Sequence, residues 1–262
     1  MIIYKSPDEI RGMSRSNQIV ARILSELGGM IRPGVSTKDL DDFAEQRARE
    51  YGGTPAFKGY RGYPAALCTS INEEIVHGIP SSRELLEGDI ISLDFGIVLD
   101  GFYGDAAVTY PVGDISPQAR KLIEVARTSF YCGLEQVKAG NRISDISHAV
   151  QSYVEAEGFS VIRSFVGHGI GFSLHEEPQI PNFGSPGRGP KIMPGMTLAI
   201  EPMISAGDWD VEILEDNWTA ITKDRSLSSH YEHTVAVMEE GVEILSANQD
   251  TELNRTKESV HE

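Results

Sequence analysis

Gly88-Asp89-Ile90-Ile91-Ser92-Leu93-Asp94-Phe95 and, 107 positions later, Gly195-Met196-Thr197-Leu198-Ala199-Ile200-Glu201-Pro202 read as two versions of one strand. Each opens on glycine, alternates apolar with small or polar residues, and carries an acid in its seventh place. Successive side chains of a strand point to opposite faces. Asp94 therefore shares a face with Ser92, opposite Leu93 and Phe95, and Glu201 shares one with Thr197 and Ala199, opposite Leu198 and Ile200. The stretches ahead of these strands also repeat. Pro33-Gly34 through Asp39-Leu40 to Gly52 aligns with Ala139-Gly140 through Asp145-Ile146 to Gly158 at an offset of 106. The two alignments predict a pseudo-twofold duplication, with halves over about 6–112 and 113–245, that brings a carboxylate from each half to a common seam.

The repeated stretches sit in a wider pattern of helices followed by strands. Ser6-Pro7-Asp8-Glu9 is a capping box with proline in the first turn, and Ile10, Met13, Val20, Ile23, Leu24 and Leu27 follow at helical spacing up to Gly28-Gly29. A second amphipathic helix is predicted over 37–51, stopped by Gly52-Gly53, and two more over 116–137 and 143–157. Period-two alternation predicts strands over 90–95, 102–112, 196–200 and 231–238. Helices followed by strands, twice over, indicate an α+β fold. The polar stretch from Ser246 onward lacks an apolar period, which leaves a single domain over 1–248 and a solvated tail over 249–262.

At 262 residues the chain is near the size at which one core stops growing. The 23 basic and 39 acidic side chains leave a net charge of −16, with a pI of about 4.8. That field repels polyphosphate and anionic surfaces, so nucleic acid and membranes are excluded as principal partners. The N-terminus turns acidic before a signal-peptide core could form and no apolar run spans a bilayer, so a cytoplasmic location is expected. Cys68 and Cys132 form no CxxC pair and read as two buried, reduced thiols. No phosphate-binding loop is present, and Gly167-His168-Gly169-Ile170-Gly171 fails the dinucleotide spacing.

The chemistry lies in acids on strands that otherwise read as core. Asp94 and Asp105 stand on either side of the Asp100-Gly101 hairpin turn, at similar distances from it, so they are expected to face one another. Asp105 shares its face with Tyr103, Ala107 and Thr109, and Glu232 shares its face with Thr234 and Ala236, opposite Val235 and Val237. Any one of these acids alone also reads as a solvent-facing residue. Four buried together would each cost several kcal/mol without a counter-charge, and these strands contain no lysine or arginine. Metal ions are the remaining source of positive charge. Four carboxylates and one imidazole match two divalent ions, and oxygen-rich ligation suits Mn, Fe(II) or Co, with Zn also admissible. Glycines around His168, and the Gly-Ile-Pro turn after His77, indicate backbone that closely approaches something; His175 follows the glycine-rich stretch. Alternation turns His230 and His233 away from Glu232, so both are read as structural.

These residues carry a resemblance. Tyr63-Pro64, Cys68-Thr69-Ser70-Ile71-Asn72-Glu73, His77-Gly78-Ile79-Pro80, Asp100-Gly101-Phe102-Tyr103-Gly104-Asp105, Gly167-His168-Gly169-Ile170-Gly171, His175-Glu176-Glu177-Pro178, Ile200-Glu201-Pro202 and Tyr231-Glu232-His233-Thr234 occur in order. From about Ser6 to about Leu245 the chain resembles the type I methionine aminopeptidases, which have the pita-bread fold. The resemblance implies metal ligands at Asp94, Asp105, His168, Glu201 and Glu232, with Asp105 and Glu232 shared between the ions. It implies proton transfer by Glu201, oxyanion stabilisation by His175, and contact of His77 with the scissile amide. A methionine slot would be made by Tyr60, Tyr63, Cys68, His77 and Trp218, with Phe57 and Leu174 at its edge, where some bacterial relatives have Cys and Phe respectively. The implied substrate is the N-terminal methionine of a peptide or nascent chain with a small second residue, its free amine bound by the ion that Asp94 holds.

Other pita-bread enzymes, the X-Pro dipeptidases among them, carry a large domain ahead of the first helix, where only about five residues stand here. A non-catalytic relative would be expected to have lost metal ligands. A short chain without an added module suggests a monomer, and transient ribosome contact would need a local basic patch.

Overall fold

A computed structural model of the chain describes residues 1–247. Four helices form close to the predicted bounds: α1 (Pro7–Gly28), α2 (Thr37–Glu50), α3 (Pro117–Leu134) and α4 (Ile143–Ala156). The Ser6 and Ser36 side chains accept from the backbone N–H groups of Glu9 and Asp39, and those acids reach back to the cap, which satisfies donors that a helix start leaves orphaned. Helix α3 ends three residues short of the predicted 137.

The strands are β1 (Thr54–Pro55), β2 (Leu67–Ile71), β3 (Glu74–Val76), β4 (Ile90–Leu99), β5 (Phe102–Pro111), β6 (Ser160–Val161), β7 (Val166–Gly169), β8 (Glu176–Pro181), β9 (Thr197–Ile200), β10 (Met203–Ser205), β11 (Val211–Ile213), β12 (Ala220–Thr222), β13 (Ser228–His230), β14 (Glu232–Val237) and β15 (Val242–Ile244). Nine of them make one antiparallel sheet in the order β1-β4-β5-β14-β9-β7-β8, with β2 also on β4 and β15 on β14. Two small sheets, β13-β10-β6 and β11-β12-β3, complete the α+β architecture. Among the strands missed by alternation, β2, β7, β10, β12 and β13 are short and buried along nearly their whole length, so they carry no period-two signal.

Helices cover one face of the large sheet. Leu93, Phe95 and Ile97 of β4 pack with Val20, Leu24 and Leu40 of α1 and α2. Leu198 and Ile200 of β9 pack with Phe130 and Ile146 of α3 and α4. Each acid-bearing strand therefore buries its aliphatic side under one helix pair and turns its acid to the other face. The glycines that align in sequence share a backbone state, with φ of 85° and 95° at Gly34 and Gly140 and of 91° and 85° at Gly88 and Gly195. An L-residue strains in that region, which explains why glycine recurs there.

Some expectations are corrected. Ser246 and Ala247 are buried rather than solvated, with Ser246 Oγ 2.8 Å from His233 Nδ1, and the tail over 249–262 lies outside the described residues. Both cysteines are free, but only Cys68 is buried; Cys132, on α3, is half-buried. Among the described residues no helix is long and apolar enough to cross a membrane.

Candidate metal centre and active site

The register of the large sheet gathers the predicted acids. Asp94 pairs with Cys68 of β2 and with Ala107 of β5, and Ala107 pairs in turn with Glu232 of β14. One residue beyond the His233–Ile200 pair, Glu201 follows the end of β9 beside Glu232. The neighbouring row runs from Gly96 to Asp105, and from His168 through Ala199 to Thr234, whose Oγ1 donates to the Asp105 carbonyl at 2.8 Å. Small residues (Gly96, Ala107, Ala199 and Thr234) separate the donors along both rows, leaving space above the sheet for side chains to converge. Asp94 and Asp105 are not directly opposed as expected. They are diagonal neighbours, two residues out of register, because the turn holds only Asp100 and Gly101, with Leu99 already opposite Phe102.

All five predicted ligands line one cleft of about 160 Å³, together with His77, His175 and the predicted apolar residues Phe57, Tyr60, Tyr63, Cys68, Leu174 and Trp218. Potential ligand atoms of Asp105, His168 and Glu232 lie within 4.8 Å of one another. His168 Nε2 is 3.5 Å from Glu201 Oε1 and 4.0 Å from Asp105 Oδ2. Its other nitrogen, Nδ1, is 2.9 Å from the Gly169 carbonyl and donates to it, leaving the Nε2 lone pair directed at the carboxylates. Glycine is required on both sides: a Cβ at Gly167 would come 2.5 Å from the Ala199 carbonyl oxygen, and one at Gly169 would come 2.3 Å from that of Glu177.

Electrostatically the centre is under-compensated. Burial raises Asp105, Glu201 and Glu232 well above the ordinary carboxylate range, each pushed further by neighbouring acids, and burial raises Asp94 to about 7. Burial lowers His168 to about 4, which keeps it neutral and able to ligate. Asp94 Oδ1, Asp105 Oδ1 and Glu232 Oε1 are buried without a hydrogen-bond partner. Hard oxygens from four acids, an oriented neutral imidazole and three orphaned oxygens fit divalent cations.

The rim is aromatic. His77 has φ of 62° and sets its ring edge-on to Phe165 and Trp218, at 5.4 and 6.1 Å between centroids. The following Gly78 is obligatory, since a Cβ there would lie 2.2 Å from the Thr69 carbonyl oxygen. His175 stacks on Tyr60 and places Nδ1 2.9 Å from the Tyr60 hydroxyl. Tyr63 donates its hydroxyl to the Gly78 carbonyl at 2.9 Å, so it shows the cleft an apolar ring, edge-on to Trp218 at 5.1 Å.

Three residues escaped the sequence reading. Arg61, also with positive φ, lines the cleft over the Tyr60 ring, and Phe165 backs His77. The third is a correction: His230 Nε2 lies 3.7 Å from Glu201 Oε2 and 3.8 Å from Glu232 Oε2, inside the centre. Alternation failed because His230 ends β13, which pairs with β10, and Glu232 begins β14 of the large sheet. His233 is structural as read, its ring between Ser246 and Tyr231.

The sequence matches the profile of Metallopeptidase family M24 over residues 11–239. It is 53% identical to methionine aminopeptidase 1 of Bacillus subtilis over 94% of this chain and 99% of that one. The crystal structure of a methionine aminopeptidase from Thermotoga maritima superposes with a TM-score of 0.93 at 47% identity, covering 94% of this chain and 100% of that one. A prolidase from Pyrococcus furiosus shares the fold, with a TM-score of 0.75 at 20% identity over 93% of this chain and 65% of that one. The match across most of the chain and the near full-length relatives show the family: this chain belongs to metallopeptidase family M24.

Proposed function

We propose that the chain is a metal-dependent methionyl aminopeptidase that hydrolyses the bond after an N-terminal methionine when the second residue is small. One observation carries the reading: buried acids with orphaned oxygens and an oriented imidazole form the floor of a cleft whose walls are aromatic and apolar. The relatives named above at 47% and 53% identity bear the same activity in their names.

Strand order supports the division of labour. Asp94 on β4 and His168 on β7 with Glu201 after β9 stand at the two ends of the row, and Asp105 on β5 and Glu232 on β14 stand between them. Asp94 would thus hold one divalent ion, His168 and Glu201 a second, and Asp105 with Glu232 would be shared. Bound ions of this kind lower the pKa of water toward neutrality and polarise an amide carbonyl. The donor set suits Mn, Fe(II) or Co, with Zn admissible.

Glu201, just past the end of β9 beside Glu232, would take the proton from the attacking water and return it to the leaving amine. With the Tyr60 hydroxyl as donor in its 2.9 Å contact with His175 Nδ1, the ring proton would stand on Nε2 and donate to the developing oxyanion. His77, braced by Trp218 and Phe165, contacts the scissile amide. Phe57, Tyr63, Cys68, Leu174 and Trp218 surround an unbranched thioether, whose polarisable sulfur favours aromatic walls. Burial holds the Cys68 thiol protonated, so it serves as a wall and not as a nucleophile.

Every donor comes from one copy of the chain, which supports action as a monomer. The net charge of −16 would confine contact with a ribosome to a local basic patch, in keeping with cytoplasmic work on nascent chains. The matched helix packing and matched left-handed glycines support an origin of the two halves by duplication.

The test is release of methionine from Met-Ala-Ser, Met-Leu-Ser and Leu-Ala-Ser after chelation and re-addition of Mn, Fe(II), Co and Zn one at a time. Turnover of Met-Ala-Ser alone, dependent on added metal, is the expected result. Turnover that survives chelation, or equal cleavage of all three peptides, would overturn the reading.

A further inference from the structure

We propose that His230 is an additional nitrogen ligand of the metal centre, so that the ion held by Glu201 has two imidazoles, His168 and His230, where the family resemblance implied one. The inference rests on the metal-dependent reading above and adds a donor to it.

The observations are local to His230. Its side chain is almost wholly buried, and neither ring nitrogen has a hydrogen-bond partner. A buried imidazole with both nitrogens idle is unfavourable unless something else engages it. Nε2 faces Glu201 Oε2 at 3.7 Å and Glu232 Oε2 at 3.8 Å, too far for hydrogen bonds to either. Ligand bonds of about 2.0–2.2 Å, by contrast, set two donors on one cation roughly 3–4 Å apart. His168 Nε2 keeps the same kind of distance, 3.5 Å, from the other oxygen of Glu201. Glu201 is thus flanked by two imidazoles, one per carboxylate oxygen. Glu201, His230 and Glu232 also form a cluster whose potential ligand atoms lie within 4.8 Å of one another.

The backbone beneath the ring is fixed in advance. The His230 N–H donates to Thr109 Oγ1 at 3.0 Å, the same hydroxyl donates to the His230 carbonyl at 2.8 Å, and His230 pairs with Met203 across β10 and β13. Such anchoring holds a ligand in place before the ion arrives. A second imidazole shifts the donor set from oxygen-rich toward nitrogen, which favours Fe(II), Co and Zn over Mn and Mg.

X-ray absorption of the full chain loaded with Co(II) to saturation counts the imidazoles, in the wild type and in His230→Gln, alongside calorimetric titration with Co(II) and Mn(II). Two imidazoles per centre in the wild type, one in the variant, and at least about a tenfold loss of Co(II) affinity with a smaller loss for Mn(II) are expected. An imidazole count unchanged by the substitution, with Co(II) still bound, would overturn the proposal and leave the peptidase reading intact. Failure of the wild type to bind Co(II) would sink both. Should the variant not fold, by circular dichroism, the wild-type count decides alone: two imidazoles support His230 as a ligand and one refutes it.

Discussion

Asp94 and Glu232 flank the same residue: Ala107 is opposite Asp94 on one side of β5 and opposite Glu232 on the other. The proposed sharing of a cation by the two acids requires that intervening side chain to be small, and it is a single methyl group, fully buried. Ala107→Leu removes no ligand but fills the space between them. Overpacking of this kind costs about 1–3 kcal/mol. The variant is expected to fold with a lower melting temperature and to lose the thermal stabilisation that divalent ions give the wild type. Full metal-induced stabilisation in Ala107→Leu would show that the acids do not converge over this position.

Asp105 is buried among acids, and its ionisation is opposed by burial first and by Glu232 and Asp94 next. Asp105→Asn keeps the shape and removes the charge. Release of methionine from Met-Ala-Ser should fall by at least about three orders of magnitude, since the residue would be shared by both ions. Without metal, the same variant should melt at or above the wild-type temperature at pH 8, because a disfavoured charge is gone. Retained turnover would refute the role given to Asp105.

The metal-free protein should lose stability as pH rises. Asp94 has a folded pKa raised to about 7 from an ordinary 3.8, and Asp105, Glu201 and Glu232 are raised in the same direction. Between those values the folded state binds more protons than the unfolded one, so stability falls with increasing pH. His77, His168, His175, His230 and His233, all lowered by burial from 6.5, act oppositely wherever unfolded imidazoles take up protons, which extends up to about pH 7.5. The window above about pH 7.5 therefore separates the acids from the imidazoles. Melting of chelated protein between about pH 7.5 and 8.5 should shift downward, and an added divalent ion should reverse the shift. A melting temperature that climbs across that window would contradict the buried-acid account.

Cys68 is buried against Tyr63 and Asp94, and burial first, then the Asp94 charge, raises its thiol above the ordinary range. Iodoacetamide at pH 7.5 should modify the half-buried Cys132 and leave Cys68 unlabelled in intact protein. Mass spectrometry of the digested protein reads the two sites separately, and rapid labelling of Cys68 would remove it from the apolar wall.

Trp218 meets Tyr63 and His77 edge-on and would close the proposed methionine slot from the β11–β12 hairpin side. Trp218→Ala should reduce kcat/KM for Met-Ala-Ser by about tenfold or more while metal affinity, read by calorimetry, stays within about twofold. Loss of metal affinity instead would mean that Trp218 supports the ligands and not the substrate side chain.

Much of this was legible in sequence because it depends on neighbours along the chain. The cap at Ser6, the Asp100-Gly101 turn, and the placement of Asp94, Asp105, Glu201 and Glu232 opposite aliphatic residues all follow from periods of 3.6 and 2 and from local hydrogen bonding. The glycines around His168 signalled close backbone approach, and they abut the carbonyls of Ala199 and Glu177. Short strands such as β10 and β13, buried on both faces, were silent because no alternation marks them.

Sequence alone determined which faces of the strands carry acids, and that those acids would need counter-charge if buried, since a side chain's face and its charge are local properties. Only the tertiary structure decided who meets whom: the diagonal offset of Asp94 and Asp105, Glu232 beside Glu201, and His230 inside the centre. Those relationships depend on strand order and on a change of sheet at Tyr231, and pairing across a sheet is set by the packing of distant segments.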